Sequence, residues 1–558
     1  MSATPQRRSP LPTVLMHWGL VAALAVSLAT GLRIAADAPD AELSRLLAGG
    51  LPQGAVLVWH LASGAIILAI MFGYALYQRI SGLGRRLVLR ARSAGSGTAG
   101  SWWRVNLGLY WLAFGLLGLA AITGVMQYLG TGLVRQQTLE TLHLTAAWGL
   151  VAYLFLHVAA HLAAGGPRRL LGILVIRRGF LAAGVLAAGT ATAAVLAFAT
   201  TDRLALDSLD VGWTAQPPLL DGDPGDSAWR PATPVRVHLR HGANLPGGET
   251  EVVMRALHDG QRVYLLCEWT DPTRSQKHVP LVKTDDGWRI LQTAYRRADE
   301  TLYYEDKLAL MLAPADPLAA VASIHLGDQP LTGEPGAPGG RGLHYTTDGG
   351  ILDVWHWKSV RNGAQHQADD NFFGPPLPAP AHTPRRRDPD SGAWYPRYTA
   401  GYRKDPPGTY SGYEMNWEYF DEAHSQPLRL PEDARELAQL GTVDLSPDQS
   451  DQGRWWIEFN DSRPYADGPD DLPVGSVLPS VLPTGRLTGD RGDISARGQW
   501  RDGRWHLELS RALDTGSDKD VVVADGTLVW VAVFDHSQTR HAYHLRPLRV
   551  RLQPRPST

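Results

Sequence analysis

The chain has 558 residues, with 53 Lys and Arg against 55 Asp and Glu, a mean hydropathy of −0.16, and a single cysteine, Cys267. One cysteine excludes an internal disulfide framework, a Cys-x-x-Cys-His attachment site for covalent haem, Cys-ligated iron–sulfur clusters and Cys-rich zinc sites. The charge is uneven: residues 1–200 hold 15 Arg, no Lys and four acids, a net +11 that leaves −13 for the remainder, so the chain reads as two objects joined together.

Five apolar stretches fill the first part: Val14–Ile34, Ala55–Tyr77, Val105–Leu129, Leu139–Ala164 and Phe180–Ala199. Each is close to the roughly 20 residues that a helix needs to cross a bilayer. Arg7 and Arg8, the six arginines from Arg79 to Arg104, and Arg168, Arg169, Arg177 and Arg178 all fall on one side, and the four acids fall on the other. The excess of arginine puts the N-terminus in the cytoplasm. Five spans then carry the rest of the chain outward, to the periplasm of a cell with two membranes. The expected division is a four-helix unit over 1–178, a fifth span over 179–200 and an exported domain over 201–558.

All five histidines of this part, His17, His60, His143, His157 and His161, lie inside the spans. Ionisable residues at membrane depth are costly and usually functional. His17 within the first span also argues against a cleaved leader there. His60 and His143 sit near the outer ends of their spans, and His17 near the inner end of its own. His157 follows His143 by 14 residues, about 21 Å along a helix and on the same face. Two bis-histidine sites result, His60 with His143 and His17 with His157, each suited to one b-type haem between helices of a bundle. His161, one turn beyond His157, shares that face and stays open as the inner ligand. Zinc fits less well, because carboxylate companions are missing.

Beyond Thr201 the texture becomes acidic and rich in Pro, Gly, Trp and Tyr. Short alternating or β-branched runs recur, among them VRVHL, RVYLLCEW, KLALMLA, ILDVWHW, RWHLELS, TLVWVAVF and LRVRL. They predict an all-β antiparallel sandwich of about 8 to 12 strands. Cys267, inside VYLLCEW, reads as a buried strand residue. Residues 363–440 have little periodicity and read as a long functional or wrapping loop. No nucleophile–base motif or phosphate-binding loop emerges, and the acidic balance disfavours nucleic acid.

Met16–His161 resembles the di-haem cytochrome b subunits of bacterial hydrogenases and formate dehydrogenases. That family has one histidine in helix one, one in helix two and a His-x13-His pair in helix four. His17, His60, His143 and His157 match them, which selects His157 over His161 as the inner ligand and implies a quinone pocket beside the inner haem. From about Leu219 onward, LLDGDPGDSAWRPA, YEDKLALML, GLHYTTDGGILDVWHWKSVR, GQWRDGRWHLELSRALDTG and VWVAVFDHSQTRHAYH resemble, in order, the haem-binding domain of the ethylbenzene dehydrogenase gamma subunit family. The resemblance implies a β-sandwich enclosing one b haem on a Met and a Lys. This chain departs from that pattern. Where the Lys would fall stand His536, His541 and His544, and in the segment where the Met would fall stands His344. The expected axial ligands are therefore His344 and His541, with His544 and Met311 as alternatives. His356 reads as packing first and Lys358 as solvated.

The expectation is a membrane-bound b-type cytochrome with three haems. It would pass electrons between the quinone pool and a periplasmic redox protein or molybdenum-enzyme subunit, with no bond-making residue of its own. Two rival readings are a haem-free, carbohydrate-type binding sandwich tethered to a di-haem cytochrome b, and a stand-alone quinol-dependent reductase.

Overall fold

The computed structural model describes residues 11–36, 50–52, 56–82, 98–130, 132–171, 180–295, 299–316, 346, 349–375, 377–378, 398–399, 412–421, 423–432, 454–465 and 470–556. The chain divides into two compact units, Met1–Ala205 and Leu206–Thr558.

The first unit holds α1 (Leu11–Ala36), α2 (Val56–Ile80), α3 (Thr98–Leu129), α4 (Gln136–Leu171) and α5 (Phe180–Leu204). Pro12 lies in the first turn of α1, where its missing N–H costs nothing. Gly130 stops α3: its φ of 65° is left-handed, and its N–H donates to the Met126 carbonyl at 3.1 Å. Among the described residues, four helices are long and apolar enough to cross a membrane: Leu11–Ala35, Val56–Ile80, Leu107–Leu129 and Gln136–Ala163. Their outward faces carry Trp59, Phe72, Ile122 and Phe155, all well exposed, as a lipid-facing surface requires. Inside, Ala23, Leu24, Ile67, Leu117 and Leu150 meet in one apolar layer. The predicted fifth span forms the helix α5, and the Tyr128 hydroxyl of α3 donates to the Asp202 carboxylate of α5 at 2.8 Å.

The second unit is built on a twelve-stranded sheet. Its strands are β1 (Ser208–Trp213), β2 (Val235–Leu239), β3 (Thr250–His258), β4 (Arg262–Thr270), β5 (Lys307–Ala313), β6 (Leu352–Lys358), β7 (Asp369–Phe373), β8 (Ser495–Arg501), β9 (Arg504–Ala512), β10 (Leu528–Phe534), β11 (Ala542–Tyr543) and β12 (Leu548–Leu552). The order is β8-β9-β4-β3-β1-β12-β10-β5-β6-β7, with β2 on β3 and β11 on β10. All these pairs are antiparallel except those of β1, which runs parallel to both β3 and β12. The sheet curls until its edges touch: Gln367, just before β7, bridges to Ser495 of β8, and the Ala368 N–H donates to the Ile494 carbonyl. Curling encloses a core of Leu, Val and Trp that includes Trp269, Trp355, Trp357 and Trp505. Cys267 is buried there, and burial pushes its thiol up to about 12. A smaller five-stranded sheet, containing Leu281–Thr284 and Gly287–Ile290, packs a second core around Trp288, Tyr304 and Ile457.

A buried ion cluster spans the main sheet. The Arg511 guanidinium on β9 is fully buried and donates to Asp353 at 2.7 Å and Asp370 at 3.1 Å, with its plane 4.5 Å from the Trp355 ring. These carboxylates raise its pKa further. Full burial of such a pair is sustained only when every charge has a partner.

Candidate functional site

The helices bring the intramembrane histidines together in two pairs. The His60 and His143 ring centroids are 6.1 Å apart, and those of His17 and His157 are 6.3 Å apart. With about 2 Å from each imidazole nitrogen to a metal and about 1.2 Å from nitrogen to ring centre, two rings on opposite sides of one metal have centroids about 6.4 Å apart. Both pairs therefore have a separation that one metal held between the two rings would fit. His161 stacks edge-on at 4.6 Å from His157, so it flanks the His17–His157 pair.

Neighbouring residues fix how these rings present their nitrogens. His60 Nδ1 donates to the Ser27 carbonyl at 3.1 Å and also meets Thr30 Oγ1 at 3.1 Å. The Thr30 hydroxyl donates its own proton to the Val26 carbonyl at 2.7 Å, so its oxygen accepts from the ring. His143 repeats the arrangement: Nδ1 meets Thr123 Oγ1 at 3.0 Å, and Thr123 donates to the Leu119 carbonyl at 2.7 Å. With the proton on Nδ1, Nε2 is the basic nitrogen, the state a metal requires. Glycines make room for the rings. A Cβ at Gly31 would lie 3.1 Å from His60 Cε1, and one at Gly124 would lie 3.1 Å from His143 Cε1. The His17–His157 pair is held differently: His157 Nδ1 meets the Tyr153 hydroxyl at 3.2 Å, and His17 packs edge-on against Trp18 at 5.8 Å.

Sequence reasoning missed the Thr30-Gly31 and Thr123-Gly124 pairs. The one available signal was that Thr-Gly occurs in both α1 and α3, each next to a histidine-bearing helix. His143, Leu150 and His157 stand seven residues apart on α4, and Leu150 belongs to the apolar layer between the pairs.

In the second unit, His344 lies outside the described residues. Met311 is half-buried on β5, opposite Trp530 on β10 and Val354 on β6. The next row along the same face is His356, Ala309 and Ala532. Two small side chains there leave a floor flanked by Met311 on one side and aromatic rings on the other. Phe534 stacks on His356 at 5.5 Å and meets His541 at 4.6 Å. His541 Nδ1 donates to the Thr539 carbonyl at 2.7 Å, which makes its Nε2 the basic nitrogen. His544 differs: its Nε2 accepts from the Val531 N–H at 2.9 Å and its Nδ1 donates to the Arg546 carbonyl at 2.5 Å, so the backbone uses both ring nitrogens. Burial also holds its pKa down to about 4. His356 is kept well below the usual histidine range, first by burial and then by Lys358, Lys307 and Arg361. Lys358 is not solvated as the sequence suggested. It is buried and ion-paired with Asp369 of β7, which stands opposite His356, two residues back along β6.

Comparison with known proteins divides the chain in the same way. Residues 8–173 match the model of prokaryotic cytochrome b561, which makes the first unit a b-type cytochrome membrane unit of electron transfer. Residues 226–546 match the ethylbenzene dehydrogenase model. No curated protein matches the chain. Among solved structures, a carbohydrate-binding module of family 9 from Caldicellulosiruptor kristjanssonii in complex with glucose is 10% identical, with a TM-score of 0.23 over 63% of this chain and 98% of its own. A carbohydrate-binding protein from Bacteroides uniformis is 9% identical, with a TM-score of 0.24 over 63% of this chain and 94% of its own. On the family match, which spans more than half of its length, the chain belongs to the ethylbenzene dehydrogenase family, with a membrane unit of prokaryotic cytochrome b561 type ahead of the family domain.

Proposed function

We propose that this protein carries electrons across a membrane between the quinone pool and a redox partner outside, using two b haems in the helices and a third in the β unit. The observation that carries the reading is the pair of imidazole–imidazole separations, 6.1 Å and 6.3 Å, each matching axial ligation of a single iron. His60 and His143 hold the outer haem, and His17 and His157 the inner one. His161, beside the inner pair, lines a quinone pocket. Haem supplies one-electron chemistry, while the chain fixes the ligand tautomers, spaces the sites and keeps water from them.

For the third haem the proposed ligands are His344 and His541, with Met311 as the alternative to His344. The alanine floor beside Met311 and the Nδ1–carbonyl bond of His541 support this assignment. The N-terminus is then cytoplasmic and the β unit periplasmic, where a periplasmic redox protein or a molybdenum-enzyme subunit exchanges electrons with it.

Haem counting on the purified full-length protein tests the reading. Three protohaems per chain are expected, all extractable by acid acetone, since Cys267 is buried in the core and no other thiol exists. The outer pair should be reducible by quinol through the inner pair. Fewer than two haems per chain would overturn the membrane assignment. Two haems, both lost with the membrane histidines, would overturn the third site.

A further inference from the structure

The face that carries His356 ends in a cavity of ≈ 170 Å³ inside the β unit. Four cations converge there: Lys307 from β5, Lys358 from β6, Arg361 from the following turn and Arg491 from just before β8. Lys307, Lys358 and Arg491 are almost fully buried. Asp369 pairs with both Lys358 and Arg491, and Glu305 pairs with Arg361. Lys307 Nζ instead donates to the Gln538 carbonyl at 2.8 Å and lies over the rings of Phe534 and Tyr304 at 4.0 Å and 4.7 Å. Among the described residues, Asp369 and Glu305 thus pair with three of the four basic side chains, and Lys307 is held by a carbonyl and two rings.

A second observation points independently to a ligand. Asn371 of β7 lines the same cavity at 1% exposure, and neither its side-chain oxygen nor its nitrogen has a hydrogen-bond partner. A buried amide unsatisfied at both ends is costly and rare in a folded protein, and its position marks where a bound group completes the bonding.

We propose that the cavity bounded by Lys307, Lys358, Arg361, Arg491 and Asn371 binds a carboxylate. The cavity is partly open, and its volume admits a carboxylate group with a short chain. Paired guanidinium and ammonium donors beside an amide match the acceptor geometry of such a group. Burial and Arg361 hold Lys307 well below the ordinary lysine range, and a bound anion would reverse that shift. The carboxylate has two possible sources: a free small dicarboxylate, or a propionate of haem seated on the neighbouring His356–Ala309 face. The site itself does not depend on the haem reading, since free dicarboxylate requires no haem.

The test uses the full-length protein in detergent. Calorimetric titration with succinate should show saturable binding in a 1:1 ratio. Lys307→Met and Asn371→Ala should each weaken it by about 10- to 100-fold, and Lys307→Arg should recover most of the affinity. If succinate does not titrate, haem-extracted protein is reloaded with protohaem or its dimethyl ester. A propionate source predicts at least about tenfold weaker retention of the ester in the β unit, with the difference abolished by Lys307→Met. Near-UV circular dichroism of the tryptophan core checks that each variant is folded. If folded wild-type protein binds no succinate and retains ester and acid forms equally, or takes up no haem in this unit and no succinate, the proposal fails. If the unit takes up no haem but binds succinate, the carboxylate site stands while the third-haem reading falls.

Discussion

His60 and His143 approach from different helices to a centroid separation of 6.1 Å, each with Nδ1 against a threonine hydroxyl and its ring edge against a glycine. The two halves of the His60–His143 site are therefore built alike: α1 supports His60, and α3 supports His143. A ligand held by a hydrogen bond and a steric wall loses little freedom when it binds metal.

His60→Ala or His143→Ala should remove the outer haem, and His17→Ala or His157→Ala the inner one, leaving one membrane haem in each case. Absorbance and low-temperature EPR on purified variants distinguish the two. Loss of the inner haem in His161→Ala but not in His157→Ala would reassign the inner ligand. Thr30→Val and Thr123→Val should keep the haem but weaken its retention by about 10- to 100-fold, as loss of a ligand-orienting hydrogen bond does.

Gly31→Val and Gly124→Val should displace the outer histidines, because a Cβ alone already meets Cε1 at 3.1 Å. Gly64→Val and Gly118→Val serve as controls, since no atom lies within 4 Å of a Cβ at either position. The expected readout is loss or altered spin state of the outer haem in the first two variants only. Equal behaviour of all four would mean that the glycines do not shape the site.

Arg511→Met should destabilise the β unit by about 3–5 kcal/mol, because Asp353 and Asp370 lose their buried partner. Denaturant unfolding followed by tryptophan fluorescence reads this directly, as Trp355 lies against the guanidinium. Adding Asp353→Asn to Arg511→Met should restore part of the loss. A variant as stable as the parent would show that these charges are solvated in solution.

Asp271 and Asp306 are raised well above the usual carboxylate range, first by burial and then by neighbouring carboxylates, including Asp535. For a raised carboxylate the folded state binds the proton more tightly. The stability it contributes is present below the unfolded value of about 4 and is lost as pH rises through the folded pKa. Asp271→Asn cannot ionise, so it should match the parent at about pH 4 and exceed it above that. The gain at neutral pH should be a few degrees in thermal midpoint, equivalent to about 1 kcal/mol in a domain of this size. A parent more stable than the variant at neutral pH would refute this.

The histidine pairing was legible because a helix converts spacing into depth and azimuth. Fourteen residues between His143 and His157 give both at once. The strands of the main sheet were legible from alternation, and its 12 reach the top of the predicted range; the five-stranded sheet and three two-stranded sheets come in addition, on strands of two to four residues too short to show alternation. The support for the rings was not legible, since Thr30 and Gly31 resemble ordinary small helix residues until the helix facing them is known. The same holds for Arg511 and Asp353, 158 residues apart in sequence, which meet only once the strand order is fixed. Lys358 was misread for the same reason, because Asp369 lies across the ladder and not beside it in sequence.

The order of the main sheet also bears on how the protein is made. β12, Leu548–Leu552, is the last of its strands to leave the ribosome, yet it sits in the middle, between β1 and β10. Without it, the hydrogen-bonded order splits into two runs, β8-β9-β4-β3-β1 and β10-β5-β6-β7, which still meet at the Gln367–Ser495 bridge but leave open edges on β1 and at the start of β10. A nascent chain stalled before residue 548 would be sticky along both edges and a natural client for chaperones. A premature stop removing only β12 would open the sheet at its middle, although it deletes none of the residues that line the cavity or the Ala309–Ala532 floor.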